Sequence, residues 1–183
     1  HKAIELAPES EVARTVLLGI YARQGDYLAI ERHLQANGNS VPVWKAQLEY
    51  ANLYANLLFD DLGDREKLIE LVLHAYQCAH QMQPNCAEVW GPQGQFLNFA
   101  SKREDAAECW RQVLSISACS AADYYWHAVA LRSLGDTAMA VGAHERAIAI
   151  DGHFALPQRA LGSICKAHGD LPAALAYFEK AVA

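Results

Sequence analysis

The chain lacks, first, the means of closing itself with sulfur. Its cysteines, Cys78, Cys86, Cys109, Cys119 and Cys165, are odd in number and form no C-x-x-C pair. A disulfide framework is therefore not expected, and a reducing compartment such as the cytoplasm is the matching environment. No apolar run approaches the roughly 20 residues that a membrane-spanning helix needs, so membrane insertion is not expected. Positive charge is scarce: 15 Lys and Arg stand against 21 Asp and Glu, for a net charge of −6. Binding to a phosphate backbone rests on clustered Lys and Arg, so nucleic acid is not an expected partner. A phosphate-cradling loop is missing too, because Gly91-Pro92-Gln93-Gly94 has neither a Lys-Ser/Thr ending nor a preceding strand.

Chemistry is equally thin. No nucleophile stands with a base and no paired carboxylates recur at a fitting spacing, so the chain reads as a non-enzyme with no catalytic residues and no cofactor. His74 and Cys78 are four apart on one helical face, with His80 and Cys86 nearby. Such residues can ligate zinc, but structural zinc sites bring paired ligands from two elements, and these sit on one helix. Ordinary packing is the expectation, and no metal.

What the chain has is a period. With 52% hydrophobic residues in 183, it can bury a continuous core. From Ala87 onward one pattern recurs every 34 residues, starting at Ala87, Ala121 and Ala155. Ala106, Ala140 and Ala174 keep that spacing, as do Val113, Ala147 and Ala181. Small side chains at a fixed place let two helices approach closely. Trp110, His144 and Phe178 share a second slot, four residues after those alanines and so on the same helical face. Between the helices come turns, Leu134-Gly135-Asp136 and His168-Gly169-Asp170, where Gly ends one helix and Asp caps the next.

These residues resemble the tetratricopeptide repeat, a 34-residue helix-turn-helix unit. Trp90 with Gly94 four residues on, Leu161-Gly162, and Tyr124 in the Trp place carry the signature. The family's terminal Pro is replaced by Ala118 and Gly152. The resemblance implies an all-α fold, an α-solenoid of stacked antiparallel helix pairs winding as a right-handed superhelix. It further implies a protein–protein interaction scaffold or adaptor, holding a peptide or a partner protein in a concave groove lined by the first helix of each pair.

One domain over 1–183 is expected. Residues 1–10 read as the end of a preceding repeat, 11–40 as a short repeat, 41–86 as a long one, and 87–120, 121–154 and 155–183 as regular repeats. The start without Met and a last helix with no polar cap suggest part of a longer array. In the short repeat Leu17 and Tyr21 precede Gln24-Gly25-Asp26-Tyr27, and Asn37-Gly38-Asn39-Ser40 ends the unit. In the long one, apolar residues from Val43 to Leu62 recur at helical spacing, which predicts a helix of about 20 residues. Trp44, Tyr50, Tyr54 and Phe59 make it aromatic; it either packs on a lengthened partner, Arg65 to about Met82, or contacts another subunit, so self-association through 41–86 is open. Pro92 predicts that the next helix starts near it, the alternative being a kink.

The resemblance places the groove on the first helices. Its side chains would be Lys45, Glu49 and Asn52, then Gln95 and Asn98, then Tyr125 and Arg132, then Arg159, Ser163 and Lys166. Amides there can bond a peptide backbone, and the basic end can meet a carboxylate, so an acidic ligand fits; a merely solvated face is the plainer reading. The family's clamp for a terminal carboxylate is not reproduced, because its places hold Gly91 and Gln95, Trp126, and Leu156 and Ala160. A regulatory or substrate-recruiting region of a larger enzyme or envelope-secretion complex is the alternative function.

Overall fold

Apolar residues at helical spacing become helices through most of the described residues. The computed structural model describes residues 11–30, 32 and 43–182, and no strand occurs among them. The expected end of a preceding repeat at 1–10, and the break at Asn37–Ser40, lie outside these residues. The contacts divide the chain into two compact units, His1–Pro84 and Asn85–Ala183.

The first unit contains α1 (Glu11–Gln24), a helical turn at 27–30, α2 (Val43–Phe59) and α3 (Arg65–Met82). Asp26 starts the turn by accepting the Ala29 N–H at 3.0 Å, and Ile30 is fully buried. The Tyr27 hydroxyl accepts the Asp64 N–H at 3.0 Å, tying the turn after α1 to the turn between α2 and α3. α2 is shorter than its apolar spacing predicts, 17 residues ending at Phe59. Asp61 takes a left-handed conformation (φ 54°), and the Leu62 N–H closes onto the Leu57 carbonyl at 2.8 Å. This closure satisfies end carbonyls in the manner of a Schellman cap, with Asp in place of Gly, and Leu62 is left in the turn. α3 runs the full Arg65–Met82 and is capped by Asp64, which accepts the Lys67 N–H at 3.0 Å. Leu68, Val72, Ala75, Tyr76 and Ala79 are its buried face, and α2 contributes Ala51, Tyr54, Ala55 and Leu58.

The second unit holds three helix pairs: α4 (Ala87–Phe99) with α5 (Arg103–Ser115), α6 (Ala121–Ser133) with α7 (Thr137–Ile150), and α8 (Ala155–Ala167) with α9 (Leu171–Val182). Each pair starts at the residue the period predicts. α6 packs on both α4 and α5, and α8 packs on α7. The core of the first interface is Ala87, Trp110, Val113, Val129 and Ala130, with Trp90, Tyr125 and Trp126 packed against it. Glycines make room for rings. A Cβ on Gly91 would stand 2.2 Å from Trp126, one on Gly94 2.8 Å from Trp110, and one on Gly162 2.8 Å from Phe178. The turn glycines Gly135 and Gly169 have φ of 99° and 83°, and Ser101 holds the same place in the first pair at 61°.

Pro92 corrects the expected helix start. α4 begins at Ala87 with Cys86 as N-cap, and Pro92 lies inside it. The missing N–H removes one intrahelical bond. The helix nevertheless starts a full turn earlier because Ala87 and Val89, both fully buried, anchor that turn in the core.

The described part is thus all-α, built of antiparallel helix pairs. No helix among the described residues is long and apolar enough to cross a membrane.

Candidate functional site

Tyr125 organises the polar face of the second unit. It sits mid-helix in α6 and is half-buried, because three rings surround it. Trp126 lies edge-on at 5.0 Å and Phe154 edge-on at 5.6 Å, while His144 is tilted at 5.9 Å. This aromatic floor is apolar, and burial raises the phenol above its ordinary pKa. The positive fields of Arg159 and Arg132 and a hydrogen bond with Gln95 oppose the rise. Gln95 of α4, Arg132 of α6 and Arg159 of α8 thus all act on the Tyr125 phenol.

Gln95, Arg132 and Arg159 are exposed. Neither arginine forms an ion pair with a carboxylate among the described residues. Two unpaired guanidiniums beside a phenol and an amide can accept a carboxylate in a forked geometry and bond a peptide backbone. The Arg132 charge also reaches His144, whose imidazole burial pushes down to about 4. His144 is fully buried and neither ring nitrogen has a hydrogen-bond partner. It serves as a neutral ring under the site.

The other sequence-derived positions fall differently. Ser163 turns its hydroxyl back onto the Arg159 carbonyl at 3.0 Å, which occupies its proton. Asn98 and Lys166 are exposed on α4 and α8. Lys45, Glu49 and Asn52 are exposed on α2, in the first unit, and Lys45 holds its ammonium over the Trp44 ring at 5.2 Å. Two features escaped the sequence reading. Phe154 completes the floor but stands just before α8, outside the helical slots. A second cleft of about 310 Å³ opens between α6 and α7, where Tyr124, His127 and Arg146 meet Leu131 and Met139; its helix spacing was visible, its opening was not.

His74 and Cys78 do approach, with Sγ 3.9 Å from Nε2. Among the described residues no group of three or more His, Cys, Asp or Glu is arranged to hold a metal. Burial raises the Cys109 thiol to about 12 and also raises that of Cys86, so neither is a ready nucleophile.

With this geometry in view, the class of protein follows from known structures: stacked 34-residue helix pairs make this a tetratricopeptide-like helical-repeat fold. The structure of PilW, a widely conserved type IV pilus biogenesis factor, superposes with a TM-score of 0.54 at 20% identity, covering 94% of this chain and 77% of that one. PilF from Pseudomonas aeruginosa gives 0.52 at 13% identity over 93% and 74%, and MamA from Desulfovibrio magneticus 0.51 at 16% over 93% and 92%. No protein-family model and no curated protein matches the sequence.

Proposed function

We propose that this chain is a non-catalytic protein-interaction scaffold that holds an acidic peptide or partner segment across the face centred on Tyr125. The observation that carries this reading is the pair of unpaired guanidiniums, Arg132 and Arg159, at a half-buried tyrosine that Gln95 also reaches. A segment with an Asp or Glu side chain satisfies them, its backbone meets Gln95, and the aromatic floor takes an apolar neighbour. The fold's likeness to PilW and MamA supports helical-repeat scaffolding as the broad role.

The test is capture from native lysate with the wild-type chain and the Arg132→Glu, Arg159→Glu double variant in parallel, followed by titration of the captured partner. The variant is expected to keep its helical circular dichroism and lose roughly tenfold or more in affinity, as removal of charge-assisted contacts does. Equal affinity in a folded variant removes the groove assignment.

A further inference from the structure

The cleft of about 310 Å³ between α6 and α7 lies inside the stack, and its lining comes from these two helices alone. α6 packs on α4 and α5 before it and α8 packs on α7 after it, so helix pairs of the same chain stand on both sides. Along the 34-residue register, the flanking pairs close the equivalent place with side chains. The Ala143 position holds Cys109, 4% exposed, and Tyr177; the His127 position holds Leu161, 2% exposed, and the Leu131 position Leu97, 3% exposed. The middle pair instead sets two small residues side by side, Gly142 and Ala143.

Gly142 sits in the interior of α7, where glycine is the poorest helix former after proline. Gly91, Gly94 and Gly162 are each explained by a ring pressed against them, but a Cβ on Gly142 would meet nothing within 4 Å. The packing of the chain on itself therefore gives no reason for this glycine. What it adds is room at the wall of the cleft.

The remaining lining defines what fits that room. Tyr124 and His127 stand edge to face with centroids 6.4 Å apart, and Met139, 62% exposed, brings a flexible thioether suited to a ring. Arg146 lies over the Tyr124 ring at 5.9 Å and pairs with no carboxylate among the described residues. A guanidinium without an acid, beside an apolar hollow, favours an anion carried on a flat apolar body. A volume of about 310 Å³ is at the lower end for ligand sites. It suits one ring system and not a helix, which is about 10–12 Å across. We propose that the α6–α7 cleft binds a small aromatic carboxylate, its ring between Tyr124 and Met139 over Gly142 and its carboxylate on Arg146.

Phenylacetate, titrated into the full chain and followed through amide chemical shifts, is expected to move the α6 and α7 resonances saturably, with a dissociation constant of about 1 mM or tighter for a ligand of this size. Phenylacetamide, its uncharged isostere, should bind roughly fivefold or more weakly, and Arg146→Gln should bring acid and amide to equal affinity. Gly142→Leu should abolish binding by filling the cleft while raising the midpoint of thermal unfolding, because leucine is the better helix former and meets open space. That gain in stability separates a blocked site from a damaged fold. Absence of saturable binding, equal affinity of the wild type for acid and amide, or undiminished binding by Gly142→Leu overturns the proposal. Two further outcomes would give the cleft to another occupant and equally overturn it. N-acetyl-diglycyl-phenylalanine binding roughly tenfold tighter than phenylacetate would mark the C-terminal residue of a partner protein, and a dimer in sedimentation that Gly142→Leu abolishes would mark a second copy. Neither Gly142 nor Arg146 belongs to the Tyr125 face, so this result and that of the Arg132/Arg159 variant fail or succeed separately.

Discussion

At the residue scale, one slot shows how the repeats balance volume. Trp110 and Phe178 each press on a glycine, Gly94 and Gly162; the same place in the middle repeat pairs the smaller His144 with Ala128. The added methyl of Ala128 compensates for the smaller ring. His144→Phe alone should therefore overpack and cost about 1–3 kcal/mol, whereas His144→Phe with Ala128→Gly should recover most of it in chemical denaturation, a coupling that a double-mutant cycle measures directly. His144 also makes stability depend on pH. Its folded pKa is about 4, below the ordinary value of 6.5, so between those values the unfolded chain binds more protons and stability falls as pH is lowered. From pH 7.5 to pH 5 the loss should be about 2 kcal/mol, and the double variant, with no imidazole at this place, should lack it. The first turn of this unit is the weak copy: Ser101 holds a positive φ, and Lys102 stands where Asp136 and Asp170 cap their helices. Ser101→Gly with Lys102→Asp should add roughly 1–2 kcal/mol, read from the shift in denaturation midpoint. The Trp110–His144–Phe178 slot was legible from spacing, because side chains 34 apart occupy equivalent places. That each ring sits on a matching small residue was not, since it depends on which helix lies opposite.

At the element scale, the departures from sequence expectation share a cause. Pro92 reads locally as a helix start, yet α4 begins at Ala87, because tertiary burial of Ala87 and Val89 outweighs one lost hydrogen bond. Leu62 reads as one more apolar position of α2, yet the left-handed Asp61 has already ended the helix. Periodicity reports a face, not a terminus, and caps are decided by a few dihedrals. The close approach of α6 to α4 depends on Gly91. Gly91→Ala should destabilise by about 1–3 kcal/mol through its contact with Trp126, although Ala is the better helix former by about 1 kcal/mol. A thermal melt in which Gly91→Ala is neutral or stabilising would contradict that packing.

At the scale of the whole molecule, the second unit has its own core, three complete helix pairs and a shared register. Residues 85–183 expressed alone should keep their helical signal and unfold in one cooperative transition; a non-cooperative melt would show that the unit needs the rest of the chain. On this unit Tyr125 and Arg159 of the spacing-based groove list are 34 residues apart and occupy equivalent slots, and Gln95 and Arg132 act on the same Tyr125 phenol from other slots. Ser163, placed in the groove by its slot, donates its hydroxyl to the Arg159 carbonyl one turn back, as hydroxyls in helices do. By itself, the sequence determined the helical class and the 34-residue register, because amphipathic spacing, turn glycines and capping aspartates are local properties. Tertiary structure alone decided that Phe154 completes the floor beneath Tyr125 and that Pro92 lies inside a helix, because each depends on which distant surface arrives to bury a side chain.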